Sequence, residues 1–494
     1  MTEQLGRAAA PTVPFADVGA RRPRPDAGPP GPPAWSRADL LLALALFVLA
    51  AAWFLWLTRG ASAQGVITGE EASITHRDTM ALAMGWQPSI WSTNAGGQLF
   101  YWLAGHLDPD YGLLYARKWK AVATALLAPL LYLTARRRLG TGRAGGVLAG
   151  GLGVLLPGVS VMAWVAIETP LDVVVGLAAL LVVTSRRRWW WLGLVLAGLA
   201  VSLYTAGLAT AVAVVAVAVV RARDLRAVVP ALLGALGGLL LLLAPLAWWR
   251  NGGIVVTGGG RSGADLSQVG LHLEELARYT LASGSSYYYF SDLPALGGPG
   301  VALALLLAAV LALAARGARL WPWAVAGVCA VGLYAVSSGV PGTRRVVLAV
   351  VVLGLAAAVG VDVLARWVAE RGPRAAAVLP LVLLVAVAVP LVSTTVGWRA
   401  ELASGTRPLP IDWPFPVDAG GDQATTLARL GDELRAGRLD PRAVGDGWGG
   451  TRTLAMIFML DRRAGRTPAL SPGDVVAYYR VSEDCPPLDG AACG

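Results

Sequence analysis

Paired acidic residues near the start of the chain have the side chains that acid–base chemistry requires. Gly69 is followed by Glu70 and Glu71, and Asp78 lies seven residues after Glu71. A carboxylate held beside a hydroxyl group can take its proton as the hydroxyl attacks an electrophile. Two loop acids are also commonly just solvated, so both interpretations stand at this stage.

A second acidic group occurs at the start of an apolar run. It reads Glu168-Thr169-Pro170-Leu171-Asp172, and Asp172 falls just inside the run. Ionisable residues within a membrane-embedded helix are costly and are functional candidates by default. The alternative is that Glu168 and Asp172 are solvated or cap the following helix, which Pro170 favours because proline is common in the first helical turn.

Basic residues accompany these acids at the ends of apolar segments. Arg117, Lys118 and Lys120 precede one such segment, and Arg344 and Arg345 precede another. The arginine fork matches the oxygens of a phosphate, which makes a lipid phosphate or pyrophosphate a candidate ligand. Ion pairs with the nearby acids, or anchoring to lipid headgroups, would explain the same charges.

Histidine and cysteine give weaker indications of chemistry. His76, His106 and His272 match no zinc spacing, so no cofactor is required, although a divalent metal is an alternative that the nearby carboxylates leave open. Cys485 and Cys493 close a small loop near the C-terminus. We expect a disulfide between them if this tail lies in an oxidising compartment.

Composition identifies the class of protein that carries these residues. Of 494 residues, 56% are hydrophobic and 15% are charged, and the mean hydropathy is +0.59. A soluble protein has about 25% charged residues, and a membrane span takes about 20 apolar residues. The net charge of +10 does not indicate nucleic-acid binding, because the arginines lie in short clusters between apolar segments.

Hydropathy predicts an all-α polytopic membrane protein with about eleven transmembrane helices. The loops predicted to face the cytoplasm all carry arginines, as the positive-inside rule requires. This pattern predicts a cell-membrane protein with a cytoplasmic N-terminus and an extracytoplasmic C-terminus. The predicted helix cores are 39–57, 119–136, 145–165, 169–185, 189–203, 206–220, 228–248, 299–315, 320–337, 346–366 and 376–396.

Three regions follow from this topology. Residues 1–38 are rich in Pro, Gly and Ala and are predicted to be a disordered cytosolic tail. Residues 39–396 form the transmembrane domain, with outer loops at about 58–118 and 249–298. Residues 397–494 are predicted to form a small extracytoplasmic domain.

The order of these motifs resembles the GT-C type glycosyltransferases, in particular the protein O-mannosyltransferase and lipid A aminoarabinose transferase group. The resemblance covers residues 39–366 and includes an acidic pair early in the first outer loop. The sequence departs from the family at 95–99, which reads AGGQL where the family often has Lys-Pro-Pro-Leu. The matching segments are Gly69–Ala72, Leu114–Lys120, Leu156–Pro157, Glu168–Asp172, Gly193–Gly207, Pro245–Gly252 and Arg344–Arg345.

The resemblance implies a polyprenyl-phosphate-linked sugar as donor, a membrane lipid environment, and a hydroxyl acceptor whose identity is open. Glu70, Glu71 and Asp78 would be catalytic, and Glu168 and Asp172 would support them or bind the acceptor. The donor phosphate would be bound by Arg117, Lys118, Arg344 and Arg345. A transporter or flippase for a lipid-linked or anionic substrate is the alternative, and it predicts charges near the middle of the bilayer.

Overall fold

The computed structural model consists almost entirely of helices in the residues that it describes. Arg37 begins the first helix of the described residues, and Arg435 ends the last. The described residues are 36–61, 90–92, 100, 104, 115–185, 188–223, 225–249, 254–256, 266–283, 293–337, 343–370, 372–404, 423–440 and 457.

Helices follow one another with short connections, as the alternation of apolar runs and arginine clusters predicts. Three-residue or four-residue 3₁₀ turns precede several of them. The α-helices are α1 (Arg37–Ala61), α2 (Tyr115–Thr124), α3 (Leu127–Arg137), α4 (Arg143–Leu155), α5 (Pro157–Trp164), α6 (Leu171–Val183), α7 (Leu192–Leu203), α8 (Leu208–Arg221), α9 (Leu225–Trp249), α10 (Val269–Arg278), α11 (Pro299–Ala335), α12 (Val347–Ala369), α13 (Pro373–Ser404) and α14 (Gln423–Arg435).

One pair of short strands joins the two long loops that the sequence places on the outer face. Strand β1 (Ile90–Ser92) pairs in parallel with β2 (Ile254–Val256), with Ile90 opposite Ile254. Three residues are too few for an alternating pattern to stand out in a sequence, so this pairing was not predicted. It adds a small feature to an otherwise all-α fold.

The predicted helix 145–165 is broken into α4 and α5, which meet at an angle of 56°. Leu156 lies at the break, with φ −59° and ψ 126°, and Pro157 begins α5. Proline has no N–H to donate to the preceding turn, and its ring excludes the helical conformation from the residue before it. The bend is therefore a direct consequence of Pro157.

Helix α11 consists of two helices that meet at a kink, and it corresponds to the two predicted helices 299–315 and 320–337. Its backbone leaves the helical region at Arg316, where φ is −140° and ψ is 21°. A straight helix of this length would extend for about 55 Å, far more than the hydrocarbon core of about 30 Å requires.

Contacts with α12 show that α11 folds back on itself at Arg316. Ala308 lies against Gly360, and Gly327 lies against Val352. In a straight helix Ala308 and Gly327 would be about 28 Å apart, whereas Val352 and Gly360 are only about 12 Å apart along α12. Both halves of α11 therefore run along the same neighbour, which agrees with the two predicted helices.

Two buried carboxylates lie at one end of the bundle beside arginines from the loops predicted to face the cytoplasm, namely Arg136, Arg143, Arg316 and Arg366. Asp39 Oδ1 accepts a hydrogen bond of 2.8 Å from the Tyr132 hydroxyl group. The same oxygen lies 3.3 Å from Arg136 Nη2 and 3.5 Å from Arg143 Nε. This carboxylate thus ties the start of α1 to α3 and α4.

Asp362 on α12 likewise connects several chain segments at this end of the bundle. Its Oδ1 accepts the backbone N–H of Gly142 at 2.7 Å, and its Oδ2 lies 2.9 Å from Arg366 Nε. Arg316 Nη2, at the fold in α11, is 3.8 Å from the same Oδ2. The carboxylate therefore holds the α3–α4 turn, the α11 fold and α12 together.

The outer surface of the bundle is apolar, as a lipid-facing surface must be. Leu41 on α1, Leu232 on α9 and Leu307 on α11 are each more than half exposed. In the described residues, three helices are long and apolar enough to cross a membrane, or four when α4 and α5 count as one span. Further apolar stretches of 10–17 described residues lie at Leu171–Val183, Arg188–Leu203, Thr205–Arg221 and Arg226–Leu241. The figure of eleven spans therefore stays a prediction.

We expect Gly360→Ala to destabilise the contact between α11 and α12. A Cβ atom at Gly360 would collide with the backbone carbonyl oxygen of Ala308, which cannot move without shifting its helix. Such overpacking costs about 1–3 kcal/mol. The measurement is the melting temperature of purified protein in detergent, and Gly332→Ala, which meets no atom within 4 Å, is the control. Equal melting temperatures for both variants would contradict this packing.

Candidate active site

Several of the predicted site residues lie outside the residues that the structure describes. These are the proposed catalytic acids Glu70, Glu71 and Asp78 and the cysteine pair Cys485 and Cys493. Their roles therefore stay predictions. The remaining candidates are described, and they lie at the end of the bundle opposite Asp39 and Asp362.

Glu168 and Asp172 are buried in the turn between α5 and α6. Only 3% of Glu168 and 2% of Asp172 is exposed, so the interpretation of these acids as solvated residues is wrong. Pro170, the N-cap residue of α6, makes no side-chain hydrogen bond to the first turn of that helix. Asp172 lies in that first turn, where the positive end of the helix dipole favours a carboxylate.

The Asp172 carboxylate is incompletely hydrogen-bonded. Its Oδ1 is buried and has no hydrogen-bond partner among the described residues. A buried polar atom without a partner is expensive, and a carboxylate oxygen especially so. An acceptor hydroxyl group or a bound cation would satisfy this oxygen, which makes Asp172 the clearest functional candidate among the described acids.

Lys120 supports the acidic turn from α2. It is fully buried, and its ammonium group donates hydrogen bonds to the carbonyl oxygens of Met162 and Val165. These carbonyls belong to the C-terminal end of α5, where the helix dipole is negative and a cation is favourable. Lys120 therefore fixes the segment that leads directly into Glu168.

Sequence reasoning noted Lys120 as a basic residue but did not include it among the site residues. The spacing of Arg117 and Lys120 was the available signal, because residues three apart on a helix share a face. That face is buried, whereas Lys118, which lies between them, is exposed.

Arg117 is almost completely buried and packs on an aromatic pair. Its guanidinium carbon lies 4.6 Å from the ring centroid of Trp164, and that ring is 6.2 Å from the ring of Trp398. Cation–π contacts of this kind strengthen when they are shielded from water. Arg117 and Lys118 are predicted to bind one phosphate. The side chain of Arg117 is nevertheless buried, whereas that of Lys118 is exposed.

Arg344 and Arg345 lie in a 3₁₀ turn that precedes α12, and both are half-buried. The Arg344 guanidinium carbon is 5.2 Å from the ring centroid of Tyr204. Tyr204 is the C-cap residue of α7, and the 3₁₀ turn that follows it, Thr205–Gly207, packs against α6. Tyr204 thus connects Arg344 to the helix whose first turn carries Asp172.

The described histidine serves a structural contact. His272 on α10 is buried, and its Nδ1 lies 2.9 Å from the carbonyl oxygen of Ala335 at the end of α11. Among the described residues, no group of three or more His, Cys, Asp or Glu side chains could hold a metal ion. His76 and His106 lie outside the described ranges.

We expect Lys120→Met to lower the stability of the protein by about 1–3 kcal/mol, because it leaves two carbonyl oxygens at the end of α5 without their donor. The measurement is the midpoint of thermal unfolding in detergent. Lys118→Met is the matched control, since it removes the same charge from an exposed position of the same helix. A control as destabilised as Lys120→Met would mean that charge, and not the capping contact, is responsible.

The solved structures that resemble this chain include two of ArnT from Cupriavidus metallidurans. The apo structure has 16% sequence identity and a TM-score of 0.51, and the alignment covers 90% of this chain and 88% of that chain. The structure bound to undecaprenyl phosphate has 15% identity and a TM-score of 0.48, with coverages of 83% and 82%. No protein-family model matches the sequence, and no curated protein matches it.

The likeness to apo ArnT extends over most of both chains and concerns the fold. The prediction of a GT-C-like, polytopic helical membrane architecture is therefore confirmed. The number of spans, the domain boundaries and the roles of the individual site residues stay predictions. This chain is a helical membrane protein with the fold of ArnT.

Proposed function

We propose that the protein is a glycosyltransferase that moves a sugar from a polyprenyl-phosphate donor to a hydroxyl acceptor at the extracytoplasmic face of the membrane. The fold of ArnT and the acidic pair in the first outer loop both support this function. The observation that carries the proposal is the buried Asp172, whose Oδ1 has no described partner, at the same end of the bundle as buried cations.

The reaction would be a single displacement that inverts the anomeric centre. The acceptor oxygen forms a bond to the anomeric carbon while the bond from that carbon to the donor phosphate oxygen breaks. Both electrons of the broken bond go to the phosphate, and the acceptor proton goes to Glu70. A positioned carboxylate base of this kind contributes about 10²–10⁴-fold to the rate.

The remaining acids would position the acceptor and the base. Glu71 or Asp78, in the same loop as Glu70, would orient the base, and Glu168 and Asp172 would accept hydrogen bonds from the acceptor hydroxyl group. The rigid attachment of their turn to α2 through Lys120 supports this role, because a site must hold its groups within a fraction of an ångström.

The cations would stabilise the negative charge that develops on the leaving phosphate. Arg344 and Arg345 are half-buried near the start of α12, and Arg117 is buried on α2. A preorganised cation in a site from which water is excluded acts most strongly on charge that appears only in the transition state. Lys118, which is exposed, would attract the phosphate and contribute less to catalysis.

Charge positions favour the transferase over a transporter. A transporter is expected to carry functional charges near the middle of the bilayer. The buried carboxylates among the described residues lie near helix ends: Asp39 and Asp362 at one end of the bundle, and Glu168 and Asp172 at the other. This arrangement suits a site at the membrane surface.

We expect Glu70→Gln to reduce sugar transfer by at least about 100-fold, because glutamine cannot accept the acceptor proton. The assay uses purified protein in liposomes with a panel of radiolabelled polyprenyl-phosphate sugars and measures transfer without an ion gradient. Glu274→Gln, which removes an exposed acid on α10, is the control and should retain activity. Full activity of Glu70→Gln would disprove its assignment as the base.

We expect Arg344→Gln to raise the KM for the donor about tenfold or more, because a hydrogen bond to a charged group contributes about 1.5–3 kcal/mol. The measurement is initial rate against donor concentration in the same liposome assay. Arg278→Gln, at an exposed arginine of α10, is the control. An unchanged KM together with unchanged kcat would remove Arg344 from the phosphate site.

A further inference from the structure

An apolar groove runs along the surface of the bundle between α1, α4 and α13. Its volume is about 720 Å³, and its lining is almost entirely hydrophobic, with Ser393 as the exception among otherwise apolar or aromatic residues. Gly150 and Gly151 line it on α4, and the absence of a side chain at Gly150 lets α4 pack closely against Ala128.

The length of the groove corresponds to one leaflet of a bilayer. Its lining on α13 extends from Val385 to Val396, which is about 16 Å of helix, and on α1 from Leu46 to Trp53. The hydrocarbon core of a bilayer is about 30 Å thick, so a single leaflet provides about 15 Å. An acyl chain of a glycerophospholipid has this length, whereas a long polyprenyl chain would extend beyond it.

Arginine lies at the outer mouth of the groove. Trp56 and Arg399 each follow the last lining residue of their helix, Trp53 and Val396, by one turn. Arg399 Nε donates a hydrogen bond of 2.9 Å to the carbonyl oxygen of Trp56, and its guanidinium carbon is 3.9 Å from the Trp56 ring. Arg59, three residues after Trp56, is exposed on the same face of α1.

Arg59 and Arg399 have no acidic partner among the residues that the structure describes. The described contacts of Arg399 engage its Nε and one face of the guanidinium, which leaves its Nη donors for a further acceptor. Arginines at the predicted outer surface run against the positive-inside bias. A phosphate diester at the mouth of the groove would account for both observations.

We propose that this groove is a binding site for an anionic glycerophospholipid of the surrounding membrane. One acyl chain lies between α1, α4 and α13, and the phosphate is bound by Arg399 with Arg59 nearby. The site is separate from the cations Arg117, Arg344 and Arg345 that are assigned to the donor phosphate. It therefore does not depend on the proposed transferase activity.

Native mass spectrometry of the full-length protein in detergent tests this proposal. The probes are phosphatidylglycerol, phosphatidylcholine with the same chains, and undecaprenyl phosphate. We expect phosphatidylglycerol to bind more tightly than phosphatidylcholine. Arg399→Gln should weaken phosphatidylglycerol binding about tenfold and remove the preference over phosphatidylcholine. Arg278→Gln is the control for loss of an arginine, and it should leave binding unchanged.

A second variant blocks the groove without touching its charge. Val389→Trp places a large side chain in the groove at a residue that is 60% exposed, so folding should be preserved. It should abolish phosphatidylglycerol binding, whereas Val229→Trp, at a residue on α9 that is 63% exposed, should not. If Val389→Trp binds phosphatidylglycerol as the wild type does, or if undecaprenyl phosphate displaces it at equal concentration, the proposal is overturned.

Discussion

The burial of two carboxylates among arginines is the interaction on which this fold depends. Asp39 accepts hydrogen bonds from Tyr132 and Arg136, which lie far from it in the sequence. Asp362 accepts the backbone N–H of Gly142 and forms ion pairs with Arg316 and Arg366. A buried charge that lost its partners would destabilise the protein by several kcal/mol. Each carboxylate therefore fixes the relative positions of three chain segments at one end of the bundle. The same helices extend to the opposite end of the bundle, where Glu168 and Asp172 lie, so their alignment also determines the positions of these two acids.

Much of this architecture could be predicted because the membrane imposes simple rules. Apolar length and the alternation of arginine clusters indicated where helices run, including the two halves of α11. Tertiary detail was not accessible in the same way. The inward direction of Arg117 and Lys120, against the outward direction of Lys118, depends on which face of α2 packs against α5. The pairing of β1 with β2 joins residues that are remote in sequence and carries no local signal.

The candidate site, too, could be predicted from the sequence only in part. Sequence pattern sufficed to single out Glu168 and Asp172, because charges beside apolar runs are rare and visible. Whether those acids are solvated or buried is a question of packing, and the structure answers it through Trp164, Lys120 and the turn between α5 and α6. The acids and the cations lie close to the ends of helices, so the chemistry proposed here would occur at the surface of the lipid phase rather than within it.

The bend at Pro157 has a consequence for how this protein can change during evolution. By turning α5 through 56°, the proline directs the carbonyl end of that helix towards α2, where only a buried cation makes it tolerable. A lineage that replaced Pro157 and straightened the helix would leave Lys120 as a buried charge without acceptors. A lineage that lost Lys120 first would leave the buried carbonyl oxygens of Met162 and Val165 without this donor. The two positions should therefore covary across homologues, although they lie on different helices.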